Sequence, residues 1–515
     1  MSKKTLLAVI DLGSLSLRLK IFELGDKGTL PKEIESVRKY LSFASKAYSE
    51  GVIPVSVVNQ LVDVLRGFAE KIKEYKIKEV LCVATSAFRE ASNRAMVIEQ
   101  IRVQTGIRVK VLDNAQERYF HNLAVKESQP HFADLVTEGT MVLDIGSGSM
   151  QATLYDKSDL VFSQNTKLGS LRVSEMLSDL AKQTTHYTEV LEEYISQDLA
   201  EYHAIEPKNV KYKNLVVFGS DMGFIKALAG ESPREYCYLT LERFNKVVND
   251  LLKIPSERLA RQLDMTPSTA PLLLPTALMI KKMLDYMGVD GVHMPDASLT
   301  EGVTYDYAWS HKHYDLVIDP ETDLISAARH VAKRYKSEKK HSTFVENAAM
   351  SVFDATKKLH GMGSRERTLL RLSALLHELG KFINISNPSP STYSIIDRTE
   401  LIGLSDPEKK IVALVGRYYT DPQFYHDARY AEISTSDQVL VSKLTALLRM
   451  ADALDGSHKQ KLHDISAVMT PEGLQISGDT MYDMTYDKWF FENHTDLFTQ
   501  FFSVQAFLRV RRQIQ

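Results

Sequence analysis

Cysteine and tryptophan are nearly missing from this 515-residue chain, which holds two of each. Cys82 and Cys237 sit in apolar surroundings (VLCVA, EYCYL), so a disulfide framework is excluded and buried core thiols are expected. An excess of charge of one sign is missing too: 63 Lys+Arg face 66 Asp+Glu, for a formal net charge of −3. That balance carries no overall signature of a nucleic-acid or membrane-surface protein. No apolar run approaches the roughly 18 residues of a membrane span. The start, MSKKTLLAVIDLGS, has a basic end followed by the run LLAVI, too short for the apolar region of a signal peptide. These absences predict a soluble, cytoplasmic chain with no nucleic-acid and no membrane partner. What is present is ordinary globular material, 44% hydrophobic and 25% charged, enough for about two to four domains.

Self-similarity gives the first functional signal. Val142–Tyr155 reads VLDIGSGSMQATLY and Val9–Phe22 reads VIDLGSLSLRLKIF. Aligned without gaps, they share Val9/Val142, Asp11/Asp144, Gly13/Gly146, Ser14/Ser147 and Ser16/Ser149. Each copy is an apolar strand, a tight D-x-G-S turn and a second strand with polar and apolar residues interleaved, hence a β-hairpin. One D-x-G turn is only a good turn. Two copies place two Gly/Ser loops facing each other, and backbone N–H groups and hydroxyls in such turns form anion nests. A nearby Asp can hold the divalent cation that travels with phosphate; Mg²⁺ suits one or two carboxylates completed by water and phosphate oxygens.

With these loops the chain resembles the acetate and sugar kinase, Hsp70 and actin superfamily, and within it the exopolyphosphatase/guanosine pentaphosphate phosphatase (Ppx/GppA) family, long form. The resemblance rests on IDLGSLSLRL, ATSAFREASN (84–93), VLDNAQERYF (111–120), LDIGSGSMQ, KLGSLRVSE (167–175) and a later HELGK, in family order over nearly the whole chain. It implies α/β followed by all-α: two actin-like, ribonuclease H-like α/β domains at 1–127 and 128–308, a helical HD-like domain at 309–460 and a small C-terminal domain at 461–515. It implies phosphoanhydride hydrolysis with Mg²⁺ as cofactor, with inorganic polyphosphate or pppGpp as partner, and a homodimer. The phosphate-binding set becomes Asp11, Gly13, Ser14, Ser16, Gly146, Ser147, Gly148 and Ser149, with Asp144 and Asp11 as metal ligands.

Thr85, Ser86 and Arg89 stand where a strand leads into a helix, a junction favourable to anions, with Ser86 as its cap. Glu117 falls in a first helical turn, where a carboxylate suits the helix dipole in any case. The resemblance gives Arg89 a place near the phosphate and makes Glu117 the general base, so the catalytic set is Glu117, Asp144 and Arg89. Against the family pattern, Leu15, Ser147, Met150 and Gln151 are departures, and Gln151 removes a negative charge. The segment VVFGSDMGF, with Gly219, Ser220 and Asp221, replaces an expected G-G-T-like turn. These departures motivate a third reading, a binding member that no longer turns over, beside the polyphosphate and pppGpp hydrolases.

From about Tyr307 the pattern turns helical; RERTLLRLSALLHELGKFI places apolar residues at three and four spacing, with Ser364 as N-cap and Gly380 closing the helix. His341, the pair His377-Glu378 and Asp452 are spaced as in HD-type domains. Two ligands and a distant Asp are a poor metal set, so a degenerate, structural domain is expected. The basic groups Lys333, Arg334, Lys336, Lys339 and Lys340, then Lys281 and Lys282, then Arg509, Arg511 and Arg512 offer either solvated faces or a track for a polyanion.

Overall fold

A computed structural model describes residues 5–25, 28–41, 47–48 and 50–512; Lys3, Lys4 and the side chain of Arg512 lie outside the described residues. The chain divides into two compact units, 1–323 and 324–515.

The first unit is built on two sheets. Strands β1 (Thr5–Leu12), β2 (Ser16–Leu24), β3 (Lys32–Tyr40), β4 (Glu79–Ala84) and β5 (Val109–Val111) form the first, in the order β3-β2-β1-β4-β5. The first three make an antiparallel meander, and β4 and β5 add in parallel beside β1. Strands β6 (Gly139–Ile145), β7 (Met150–Asp156), β8 (Asp159–Thr166), β9 (Tyr212–Gly219), β10 (Cys237–Thr240) and β11 (Gly291–Met294) form the second, in the order β10-β11-β9-β6-β7-β8. It repeats the scheme, with β9 parallel to β6, and adds β10 as an antiparallel edge. The repeated peptide is therefore a repeated structural element. Asp11 pairs in register with Arg18 and Asp144 with Gln151, the same positions of the two hairpins.

Both faces of the first sheet are covered, which is why β1 reads as a continuous apolar run. Ala8, Ile10 and Leu12 face a core shared with Val58, Leu61 and Leu65, while Leu7 and Val9 face Leu112, Phe120, Leu299 and Val303. That second core includes the helix Leu299–Ser310, which packs on the helix Asn114–Ser128. The sequence division at 308 groups this helix with the second sheet, whereas it returns to the first. The crossing is close enough to demand glycine: a Cβ on Gly302 would stand 1.8 Å from the carbonyl oxygen of Phe120.

The second unit carries the helices Lys339–Ala355, Ser364–Leu376, Ser389–Arg398, Asp406–Tyr418 and Thr435–Ala453, followed by β12 (His463–Thr470), β13 (Gly473–Thr480) and β14 (Ala506–Arg512), which form one sheet. Two expected helix ends need correction. Ser364 is the first helical residue and Gly363 is the cap, its N–H held by the Glu366 carboxylate at 2.7 Å. The helix stops at Leu376 with His377 as its C-cap, and Gly380 lies in a following 3₁₀ turn. Glu366, at the third helical position, satisfies the Gly363 N–H; glycine has no side chain to return the bond, so only this half of a capping box is made.

Cys82 and Cys237 are buried and free. Among the described residues no helix is long and apolar enough to cross a membrane. Two of the basic groups carry their own counter-charges: Lys281 pairs with Asp285, Lys282 with Glu192 at 2.8 Å, and Arg511 with Asp479 at 2.7 Å. Gly302→Ala is expected to cost at least about 1–3 kcal/mol in denaturant unfolding, because the two helices must part. Gly67→Ala, at an exposed position in the helix Val55–Glu74 with nothing within 4 Å of the new Cβ, gains about 0.5–1 kcal/mol.

Candidate active site

The two D-x-G-S turns open on one cavity of about 760 Å³ in the first unit, lined by Asp11, Gly13, Ser14, Leu15, Ser16, Glu117, Asp144, Gly146, Ser147, Gly148 and Ser149 among others. The repeat thus brings both turns to a single place. Arg89 is the one expected site residue that does not line it.

The second turn is a donor surface because its carbonyls are all engaged. Ser170 N–H donates to Gly146 O (3.2 Å), Leu171 and Arg172 N–H donate to Ser147 O (3.0 and 3.1 Å), and Gly146 N–H donates to Ser149 O (3.0 Å). Arg172 Nε donates to Gly148 O (2.7 Å) and its other arm reaches Glu90 (2.6 Å). What the turn can still offer is N–H and hydroxyl. This docking requires Gly169: a Cβ there would lie 2.4 Å from Ser147 O. The KLGSLRVSE motif is therefore the clamp that orients the loop.

The first turn is tied in from the other side. Ser14 Oγ lies 2.7 Å from Tyr48 Oη, and Tyr48 Oη lies 2.7 Å from Ser86 Oγ. Arg172 also covers the Tyr48 ring at 4.6 Å. Thr85 rather than Ser86 is the cap of the short helix Ser86–Glu90, which leaves the Ser86 hydroxyl for this network.

Glu117 enters from the helix Asn114–Ser128, whose start is fixed by a capping box: Gln116 N–H donates to Asp113 at 2.7 Å, and the Gln116 side chain accepts from Asp113 N–H at 3.3 Å. Arg89 Nη1 donates both to Glu117 Oε2 and to the carbonyl of Leu112, each at 2.8 Å. Arg89 is placed on Glu117, where it holds the carboxylate by a charge-assisted bond.

One turn further along that helix His121 forms an ion pair with Asp144. Burial alone pushes the imidazole down, but Asp144, then Glu117 and Asp11, outweigh it and hold it up at about 9. Burial pushes Asp11 up to about 6, against the pull of Arg18 and His121. Asp11 Oδ1 is buried with no hydrogen-bond partner. An orphaned carboxylate oxygen in a cavity that holds a second carboxylate suits a divalent cation that keeps part of its water, so Asp11 and Asp144 fit such a group. Gln151 does not line the cavity; its amide nitrogen donates to Ser163 Oγ at 2.5 Å, and its Oε1 is buried with no hydrogen-bond partner. Met150 is fully buried in the core of the second sheet, so its departure serves packing.

Sequence reasoning missed several residues here. Arg18, Lys20, Arg38, His121 and Arg234 line the cavity, and Tyr48 joins the loops. His121 carried a readable signal, since positions four apart on a helix share a face. Lys20 is neutralised by Glu33 at 2.7 Å and by Glu301. Asp221 is buried, accepting from Ser170 Oγ (3.2 Å) and Thr276 Oγ1 (3.1 Å), so it braces the start of the clamp helix. In the second unit Asp452 is not distant from the histidines: its Oδ1 lies 3.1 Å from His341 Nε2 and 3.3 Å from His377 Nε2.

A doubled meander-plus-parallel sheet, with a polar cavity at the paired turns, defines an actin-like α/β protein. The Ppx/GppA phosphatase family model matches residues 23–311, and the model of domain III of that family matches residues 325–497. The chain belongs to the Ppx/GppA phosphatase family, whose members hydrolyse phosphoanhydride bonds and are generally dependent on a divalent metal. It is 21% identical over 428 residues to the guanosine-5'-triphosphate,3'-diphosphate pyrophosphatase of Photobacterium profundum, covering 81% of this chain and 80% of that one. It is 23% identical over 303 residues to exopolyphosphatase 1 of Mycobacterium leprae, covering 58% of this chain and 88% of that one. Among solved structures, an exopolyphosphatase from Cytophaga hutchinsonii matches with a TM-score of 0.52 at 20% identity, over 60% of this chain and 100% of that one. The Aquifex aeolicus family member matches with a TM-score of 0.50 at 23% identity, over 60% and 99%.

The ion pair sets a pH prediction. Because the His121 value when folded lies above its ordinary 6.5, the stabilisation from the imidazolium is complete below 6.5 and is lost as pH rises through about 9. The imidazole proton resonances of His121 in chelator-treated protein are expected to titrate near 9, and the stability advantage over His121→Gln to shrink between 6.5 and 9. A midpoint at the ordinary value would overturn the pairing.

Proposed function

We propose that this chain is an exopolyphosphatase, releasing orthophosphate from the end of inorganic polyphosphate. The observation that supports it is the Glu117 carboxylate, fixed by Arg89, standing in the same cavity as the two donor turns. Glu117 takes a proton from a water; the oxygen attacks the terminal phosphorus, the anhydride P–O bond breaks, and the shortened chain leaves as the phosphate anion. Charge on the transferred group falls on the N–H groups and hydroxyls of Ser14, Ser16, Ser147, Gly148 and Ser149. Asp11 and Asp144 would hold Mg²⁺, which when bound supplies positive charge to phosphate oxygens. Arg18, Arg38 and Arg234 along the cavity offer partners to phosphates behind the first. Arg89 acts through Glu117 as a positioning residue.

A second reading changes the substrate to pppGpp. It is favoured by Phe224 and Pro233 on the cavity wall, a surface on which a purine can rest, and by the length of the match to the Photobacterium enzyme. Orthophosphate release from long-chain polyphosphate and from pppGpp, each with Mg²⁺, separates the two. The expected result is turnover of polyphosphate and a drop of about 10²–10⁴-fold in Glu117→Gln. Turnover of pppGpp alone selects the second reading, and release from neither leaves a phosphate-binding protein.

A further inference from the structure

The short helix Ser86–Glu90 has only five residues, yet its side chains hold different parts of the cavity. Ser86 Oγ lies 2.7 Å from Tyr48 Oη and 3.3 Å from Ser14 Oγ, so it reaches the first turn. Arg89 donates to Glu117 at 2.8 Å and holds the carboxylate read as the general base. Glu90 accepts from Arg172 Nη2 at 2.6 Å, and Arg172 Nε donates to the carbonyl of Gly148 in the second turn at 2.7 Å. Neighbouring residues of one helix are thus wired to the base and to the loop that faces the phosphate.

This wiring crosses the first unit. Glu90 follows β4 of the first sheet, whereas Gly148 lies between β6 and β7 of the second and Arg172 in the helix Ser170–Met176 after β8. The two halves meet closely here. The Arg172 guanidinium covers the Tyr48 ring at 4.6 Å. A Cβ on Gly148 would stand 2.6 Å from Tyr48 Oη and 3.2 Å from Ser86 Oγ, so the second turn rests directly on the first half. The helix is itself a fixed reference. Arg94 Nη1 donates to the carbonyl of Arg89 at 2.9 Å, and the Asn93 side chain accepts from Ile53 N–H at 3.0 Å and donates to Ile53 O at 2.8 Å. A guanidinium suits the bridge because its planar fork holds two oxygens at a set spacing, which an ammonium does not. The Glu90 side chain is 40% exposed, and an ion pair so open to water adds little to stability. Its value lies in where it places the turn.

We propose that Glu90 and Arg172 are positioning residues for the hydrolysis, setting the second donor turn at its working distance from Glu117 through the helix Ser86–Glu90. The proposal rests on the reading of Glu117 as the general base. The water at Glu117 and the phosphorus on the turn must meet within a narrow range, and a displacement of about 1 Å costs up to about 100-fold in rate. Neither Glu90 nor Arg172 lines the cavity, so each acts through another group.

The test is the steady-state kinetics of orthophosphate release by the full chain from long-chain polyphosphate and from pppGpp with Mg²⁺, alongside melting temperatures. Glu90→Ala and Arg172→Lys are each expected to lower kcat about 10–100-fold, with KM changed less than about threefold and folding intact. Glu90→Gln is the variant read if Glu90→Ala does not fold. The double variant is expected to be no slower than the slower single one, because both break the same link. Glu99→Ala, which removes an exposed pair with Arg102 on the next helix, is the control and keeps the wild-type rate. Glu117→Gln separates the proposal from the reading beneath it. If that variant turns over at the wild-type rate, or the wild type hydrolyses neither substrate, the base reading falls and the proposal with it. If Glu117→Gln is slow, the proposal alone is overturned by a wild-type kcat in the Glu90 variant, by losses that multiply in the double variant, or by an equal loss in Glu99→Ala.

Discussion

Two carboxylates at the ends of two equivalent strands set the terms for the first unit. Asp11 and Asp144 occupy the same position in duplicated hairpins, and the fold brings both into one cavity together with Glu117. Burial, with Glu117 nearby, raises the proton affinity of Asp11, and each of the three carboxylates has a basic group set against it. Arg18 faces Asp11 across the hairpin, His121 pairs with Asp144, and Arg89 takes Glu117. The orphaned oxygen of Asp11 is the part the protein leaves unanswered, and it is where a divalent cation fits.

The same charge explains the scaffolding that surrounds it. A loop able to face an anion has to turn its carbonyls elsewhere, and the second turn does so by docking onto the helix that begins after Gly169. Asp221 then braces that helix start from below through Ser170 and Thr276. The departures from the family pattern divide. Met150 fills the core and Gln151 bonds along its own sheet to Ser163, while Leu15, Ser147, Gly219 and Ser220 line the cavity and Asp221 braces the clamp.

Much of this was legible in the amino-acid order because the informative features are local. A D-x-G-S turn between an apolar strand and an alternating one is a hairpin by its own chemistry, and its repetition gave the doubled sheet. Glu117 could be placed in a first helical turn because a strand, a turn and a helix follow one another within a few residues, and its role came from the family resemblance. The rest depends on partners far apart in sequence. Nothing near Arg89 says that its guanidinium reaches Glu117, and nothing near Tyr48 says that it bonds to Ser14 and Ser86. The second unit shows the same limit: Asp452 follows the histidines by many residues, and only the packing of three helices reveals that it touches both. Division into domains by sequence order missed the return of the Leu299–Ser310 helix to the first sheet for the same reason.

The central claim is that Asp11 and Asp144 act as a charged pair that serves the phosphate site. It is tested most directly by replacing one charge with its isostere and measuring turnover in a protein whose melting temperature is unchanged. Asp144→Asn should release orthophosphate at least about 100-fold more slowly than wild type, since a group that stabilises transferred charge is worth several kcal/mol. Turnover at the wild-type rate in that variant would contradict the account.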